Sequence, residues 1–181
     1  MIYHLSLRTA GIIAGACLIV IGLFGVLIPA SATFAQRFAR SRVAGILLLT
    51  ICLVWTFWLL FTIEMGEFSA FRRPLLIALP IGYLLTLRFV DELLAVRALG
   101  ILCLLAAEPL LDAAFLRYEL SRLLVTVLAY LLIVAGLFWV AMPYVLRDQI
   151  NWSTRGAFRW RFLHGLAFIY GCVILVFAFR Q

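Results

Sequence analysis

The sequence predicts an all-α integral membrane protein, a six-span helical bundle arranged as a 3+3 inverted-topology internal repeat. Three observations predict it. The chain is 67% hydrophobic, where soluble domains hold about 45–50% apolar residues. Its few charges divide it into apolar runs long enough to cross a bilayer. A short motif near the start recurs at an offset of 80 residues.

The spans follow from the gaps between charges. A helix needs about 20 apolar residues to cross roughly 30 Å of hydrocarbon. Arg8 and Arg37 enclose 28 uncharged residues, which places a first span at 10–33. Its end, Pro29-Ala30-Ser31-Ala32, resembles a signal-peptidase site, but the apolar stretch is too long for a usual leader and reads as a span. Arg42 and Glu64 enclose 21 residues and give a second span at 43–63. The third and fourth, at 74–90 and 93–116, are weaker: Arg88 must snorkel, and Glu108 and Asp112 interrupt the run between Arg97 and Arg117. A re-entrant hairpin over 74–116 is the alternative. The fifth and sixth spans, at 123–146 and 162–179, lie between Arg122 and Arg147 and between Arg161 and Arg180. The whole, 1–181, forms a single membrane domain.

Tyr3-His4-Leu5-Ser6-Leu7-Arg8 matches Tyr83-Leu84-Leu85-Thr86-Leu87-Arg88 at four positions, with Ser6/Thr86 a conservative fifth. The same offset, without a gap, pairs Pro29 with Pro109, Arg37 with Arg117, Phe38 with Tyr118, Ser41 with Ser121 and Arg42 with Arg122. Two copies, approximately 1–80 and 81–181, then hold three spans each. An odd number forces the second copy to enter the membrane in the opposite sense.

All 15 basic residues are Arg, and the net charge is +7. In a soluble chain that balance points to nucleic acid, but here the Arg residues fall in short loops. Nine sit in loops one, three and five, and six in the termini and the even loops. The bias places loops 34–42, 88–97 and 147–161 in the cytoplasm and both termini outside. The absence of Lys points to a GC-rich bacterial genome, hence to a multi-pass protein of the bacterial inner (plasma) membrane.

Glu108 and Asp112 stand four residues apart on one face of the fourth span, close to mid-bilayer, where ionisable groups cost about 2.5–3.5 kcal/mol each. Pro109 beside them removes a helix hydrogen bond and predicts a kink. The pair is either an ion-binding site or a buried partner of Arg72, Arg73, Arg117 or Arg122. Gly11, Gly15 and Gly22 form a small-residue face suited to helix packing. Trp152, Arg155, Arg159, Trp160 and Arg161 in loop five read as an interfacial belt or a surface for anionic lipid. Trp55, Phe57 and Trp58 read as lipid contact or a helix interface. Cys17, Cys52, Cys103 and Cys172 fall inside spans without CxxC spacing and read as apolar fillers.

Several chemistries find no residues to carry them. The two histidines, His4 and His164, lie near span ends and do not make a haem or His-rich metal site. No GxSxG, CxxC or Gly-rich phosphate loop occurs, no Lys is present for a Schiff base, and Asp91, Asp112 and Asp148 lack an intramembrane protease setting. No enzyme activity, metal or cofactor is expected. The expected partners are the lipid bilayer and other membrane subunits or a second copy, with no nucleic acid. The expected function is that of a non-catalytic, helix-packing subunit or assembly factor of a larger membrane complex. The alternative is a small proton- or cation-linked transporter or channel using Glu108 and Asp112.

Overall fold

The computed structural model describes residues 3, 5–28, 30–64, 66–90, 93–117 and 119–180, without the side chains of Phe68 and Leu120. His4, Pro29, Asp91 and Tyr118, which entered the sequence reading, lie outside these. The described residues form eight α-helices and one 3-10 turn: α1 (Leu7–Leu27), α2 (Ser31–Arg40), α3 (Arg42–Thr62), the turn (Gly66–Phe71), α4 (Arg72–Phe89), α5 (Leu94–Ala114), α6 (Leu120–Ala141), α7 (Tyr144–Thr154) and α8 (Ala157–Phe179). Six of them, α1, α3, α4, α5, α6 and α8, are long and apolar enough to cross a membrane. The region 74–116 consists of two continuous helices joined by a short connection.

Local chemistry sets the boundaries. Ser6 caps α1, its Oγ accepting from the Thr9 amide at 3.1 Å, and Ser41 does the same for α3 toward Ala44 at 3.2 Å. Within the long helices, Thr50, Thr56, Thr62 and Thr86 donate their hydroxyls to carbonyls one turn earlier, which pairs these four groups inside their own helices.

The sequence reading ran α1 to residue 33 and the fifth span to 146; the helices end at Leu27 and Ala141. The reason is the same at both places. A residue before proline is pushed out of the α region, and Ile28 and Met142 precede Pro29 and Pro143. Ile28 is extended (φ −100°, ψ 108°) and Met142 has left the helix (φ −128°, ψ 75°). After each break the chain starts a short polar helix, α2 or α7, in stretches expected to be loop.

The helices pair through small residues. The two most extensive interfaces are α1 with α8 and α5 with α6. Along α1, a Cβ on Gly11 would sit 3.0 Å from Ala178 Cβ, one on Gly15 3.0 Å from Gly171 O, and one on Gly22 2.7 Å from Phe168 Cβ. Rising numbers on α1 meet falling numbers on α8, so the helices are antiparallel and in backbone contact. Gly100 and Gly136 do the same for α5 and α6, each lying where the other's carbonyl would meet an added Cβ at 2.8–2.9 Å. Tyr170 on α8 donates to the Leu124 carbonyl of α6 at 2.8 Å and ties the two pairs together. α3 packs on α5 and carries α4 at the periphery.

The packed interior is thin. Most buried apolar residues are Ala, Val or Leu in four small clusters, and no residue of the α4 helix is buried. The accessible surface is 11410 Å², against roughly 8,800 Å² for a compact soluble protein of this mass.

Gly22→Leu is expected to destabilise the protein by about 1–3 kcal/mol, since the three nearest atoms are all backbone or Cβ. Gly82, whose added Cβ meets nothing within 4 Å, serves as the control: Gly82→Ala should change stability by less than about 1 kcal/mol. Thermal unfolding in detergent, followed by circular dichroism, distinguishes them.

Candidate functional site

The alternation of spans gives the bundle two ends. One holds the start of α1, the end of α8 and the 3-10 turn, and Arg8 lies 6.0 Å over the Phe179 ring there. The other holds α2 and α7, which pack against each other, together with the connection between α4 and α5. Two polar clusters occupy these ends.

At the first end, Glu108 sits six residues before the end of α5, about 9 Å along the axis from Ala114. That places it in the outer third of the span rather than at its middle. Its carboxylate is exposed on the flank of the bundle and accepts a hydrogen bond from the Tyr3 hydroxyl. Tyr3 in turn accepts from the Trp55 indole N–H at 2.8 Å and packs its ring 5.3 Å from that of Trp58. Burial pushes the Tyr3 phenol up to about 12, opposed by the Trp55 donor and reinforced by Glu108. Asp112 follows one turn later, half-exposed. Pro109 lies inside the continuous α5.

The four arginines expected to pair with these carboxylates have other partners or none. Arg72 donates through Nη2 to the Ile63 carbonyl and so satisfies the end of α3. Arg122 donates through Nη1 to the Arg117 carbonyl at 2.5 Å. Arg73 and Arg117 are exposed. Among the described residues, none of the four makes an ion pair with Glu108 or Asp112, and the one recorded ion pair joins Arg147 to Asp148 at 3.0 Å.

Two cavities lie near the first cluster. One of about 260 Å³ runs between α1, α5 and α6, lined almost wholly by apolar side chains, with Trp55 and Pro109 on its wall. The other, about 320 Å³, separates α3 from α4 and presents Thr56, Tyr83 and Thr86. Glu108 lines neither. No group of three metal-ligating side chains occurs among the described residues.

At the second end, the residues of loop five divide. Arg159 lies 5.1 Å over the exposed Trp152 ring, and Arg155 and Arg161 are exposed. Trp160 instead turns inward: its indole donates to Ser31 Oγ at 2.9 Å, and its ring lies 4.1 Å from that of His164. His164 fills the space left by Gly25, where a Cβ would come within 1.9 Å of the ring. Trp160 therefore joins α8 to the buried start of α2. The sequence gives no local signal for this contact or for Tyr3–Trp55, because each joins segments far apart in the chain.

Tyr3→Phe removes an acceptor from Trp55 and a donor from Glu108 and is expected to cost about 1–2 kcal/mol in thermal stability. In a cycle with Trp55→Phe the two losses should be less than additive; full additivity would mean the contact contributes nothing. The raised Tyr3 value also sets a sign. Its contribution is complete below about pH 10, the ordinary tyrosine value, and declines as pH rises toward about 12. A tyrosinate absorbance titration of wild type against Tyr3→Phe reads this directly. Comparison with known proteins finds no matching family model, no matching curated protein and no matching solved structure.

Proposed function

We propose that this chain is a multi-pass inner-membrane protein that works as a non-catalytic, helix-packing subunit or assembly factor of a larger membrane complex. The observation that carries the reading is α4. Its segment is the least hydrophobic of the six, with a mean hydropathy of 1.3 against 2.6 for α1, and none of its window is buried. A bundle alone in lipid does the reverse: its most polar span turns inward, because lipid cannot pair polar groups. A second set of helices lying over α4 removes the conflict. Glu108, a carboxylate exposed on the flank of a span, needs the same kind of cover.

The second reading is a small proton- or cation-linked transporter or channel. The Tyr3–Glu108 hydrogen bond, with Asp112 one turn away, favours it, since such pairs bind and release protons.

For orientation we propose that the end holding α2 and α7 is cytoplasmic and both termini are outside. Nine of the 15 Arg residues support this. The 3+3 inverted repeat is also a proposal. α3 and α6 start within two residues of the offset of 80, which supports it; α5 and α8 start several residues later than the offset places them. The polar helices α2 and α7 both fall at one end, outside such a symmetry.

Three measurements test these readings. Purification from native membranes in mild detergent should yield the chain with other polypeptides or as a homo-oligomer, and Ile81→Gln on the uncovered face of α4 should release them. A wild-type chain that always runs alone as a monomer sinks the subunit reading. Glu108→Gln in proteoliposomes should abolish proton-coupled flux under the transport reading; unchanged flux, or none in the wild type, removes it. A C-terminal alkaline phosphatase fusion should be active and a green-fluorescent-protein fusion dark; the opposite pattern reverses the orientation.

A further inference from the structure

The polar faces of α2 and α7 meet over a cleft that neither reading above uses. Thr33, Gln36, Arg37 and Arg40 lie at positions i, i+3, i+4 and i+7 of α2, one continuous stripe of its surface. Arg147 and Asn151 stand at i and i+4 on α7 and share the same cleft, with Ala39 and Ile150 between them. The cleft holds about 430 Å³, within the range of small-ligand sites.

The two walls are held at a fixed separation. Ala39, 2% exposed, packs with Val96 of α5 and Leu146 of α7 beneath the cleft. Above it, the Gln36 amide donates to Thr154 Oγ1 at 2.8 Å and straps the end of α7 to α2. The start of α2 is fixed through Ser31, which accepts from Trp160 of α8.

Its chemistry is one-sided. Three guanidinium groups and two carboxamides line the cleft, and no acid does. Asp148, the next residue on α7, accepts from Arg147 Nε at 3.0 Å. That bond uses one of the five N–H donors of Arg147 and leaves the others. A planar fork of donors matches the oxygens of a phosphate, and charge-assisted bonds of this kind are roughly twice as strong as neutral ones.

We propose that the α2–α7 cleft is a phosphate-binding site, and that its occupant is the phosphodiester of an anionic phospholipid headgroup. The depth argues for the lipid. α2 starts four residues after α1 ends and α7 three residues after α6 ends, so the cleft lies at the level where headgroups sit. Cation-lined recesses at that level suit anionic lipids. This placement rests on the membrane reading, which the fusion reporters test separately.

The probe is dioctanoyl phosphatidylglycerol, titrated into delipidated full-length protein in detergent and followed by native mass spectrometry. Dioctanoyl phosphatidylcholine and inorganic phosphate are run in parallel. Phosphatidylglycerol should bind at least about tenfold more tightly than phosphatidylcholine, and the preference should weaken as salt rises. Arg37→Gln/Arg40→Gln/Arg147→Gln should lose about tenfold or more in affinity, while Arg73→Gln/Arg180→Gln, exposed at the opposite end of the bundle, should not. The single variant Arg40→Gln gives a smaller loss in the same direction and covers the case in which the triple variant does not fold. If inorganic phosphate alone binds, and the triple variant loses it, the phosphate site stands and the lipid assignment falls. Equal binding of the two lipids by wild type, or undiminished binding by both Arg40→Gln and the triple variant, overturns the proposal.

Discussion

The approach of α1 to α8 governs how the rest of the bundle sits. Lipid tails are as apolar as leucine, so helices in a bilayer gain little from hiding apolar surface and must gain from close contact instead. Gly11, Gly15 and Gly22 on one side, with Gly171 and Ala178 on the other, let the two backbones touch along nearly their full length. The same device, in one reciprocal pair, joins α5 to α6 through Gly100 and Gly136. The two pairs are then linked by the small apolar clusters around Val125 and Leu128 and by the Tyr170 hydroxyl on the Leu124 carbonyl. α3 follows α5, and α4 follows α3. Packing thus fades from the glycine contacts outward, and α4 at the far side is left without a buried residue.

Two proline steps give the bundle its polar end. Each ends a span at the residue before it, and each is followed by a helix too short and too polar to cross. Because both steps occur as the chain leaves the same end, α2 and α7 arrive together and pack against each other over Ala39 and Leu146. The charges at this end are therefore held in a shaped recess on two helices. At the opposite end the polar groups are fewer, and an aromatic side chain, Tyr3, meets the carboxylate.

The spans were legible because charge spacing alone marks them, and the Gly11/Gly15/Gly22 face was legible because its members share one helix. What that face would touch was not, since nothing local in α1 points to α8. Gly100 and Gly136 stand alone in their helices and made no motif. α2 escaped notice although its stripe at 33, 36, 37 and 40 has a helical period, because three Arg residues near a span end read as a loop. Glu108 stood out as a carboxylate in an apolar run. Its contact, a phenol more than a hundred positions away, could not be read; of the arginines on the same side, Arg72 and Arg122 bond backbone carbonyls instead, and Arg73 and Arg117 are exposed.

The α1–α8 contact joins the first of the six long helices to the last of them. A chain growing at about 5–20 residues per second leaves α1 without its partner for roughly ten to thirty seconds. During that interval the glycine face of α1 stands without the helix it packs against. A chain cut short before α8 lacks the most extensive helix contact of the fold, however many of the other helices it has formed.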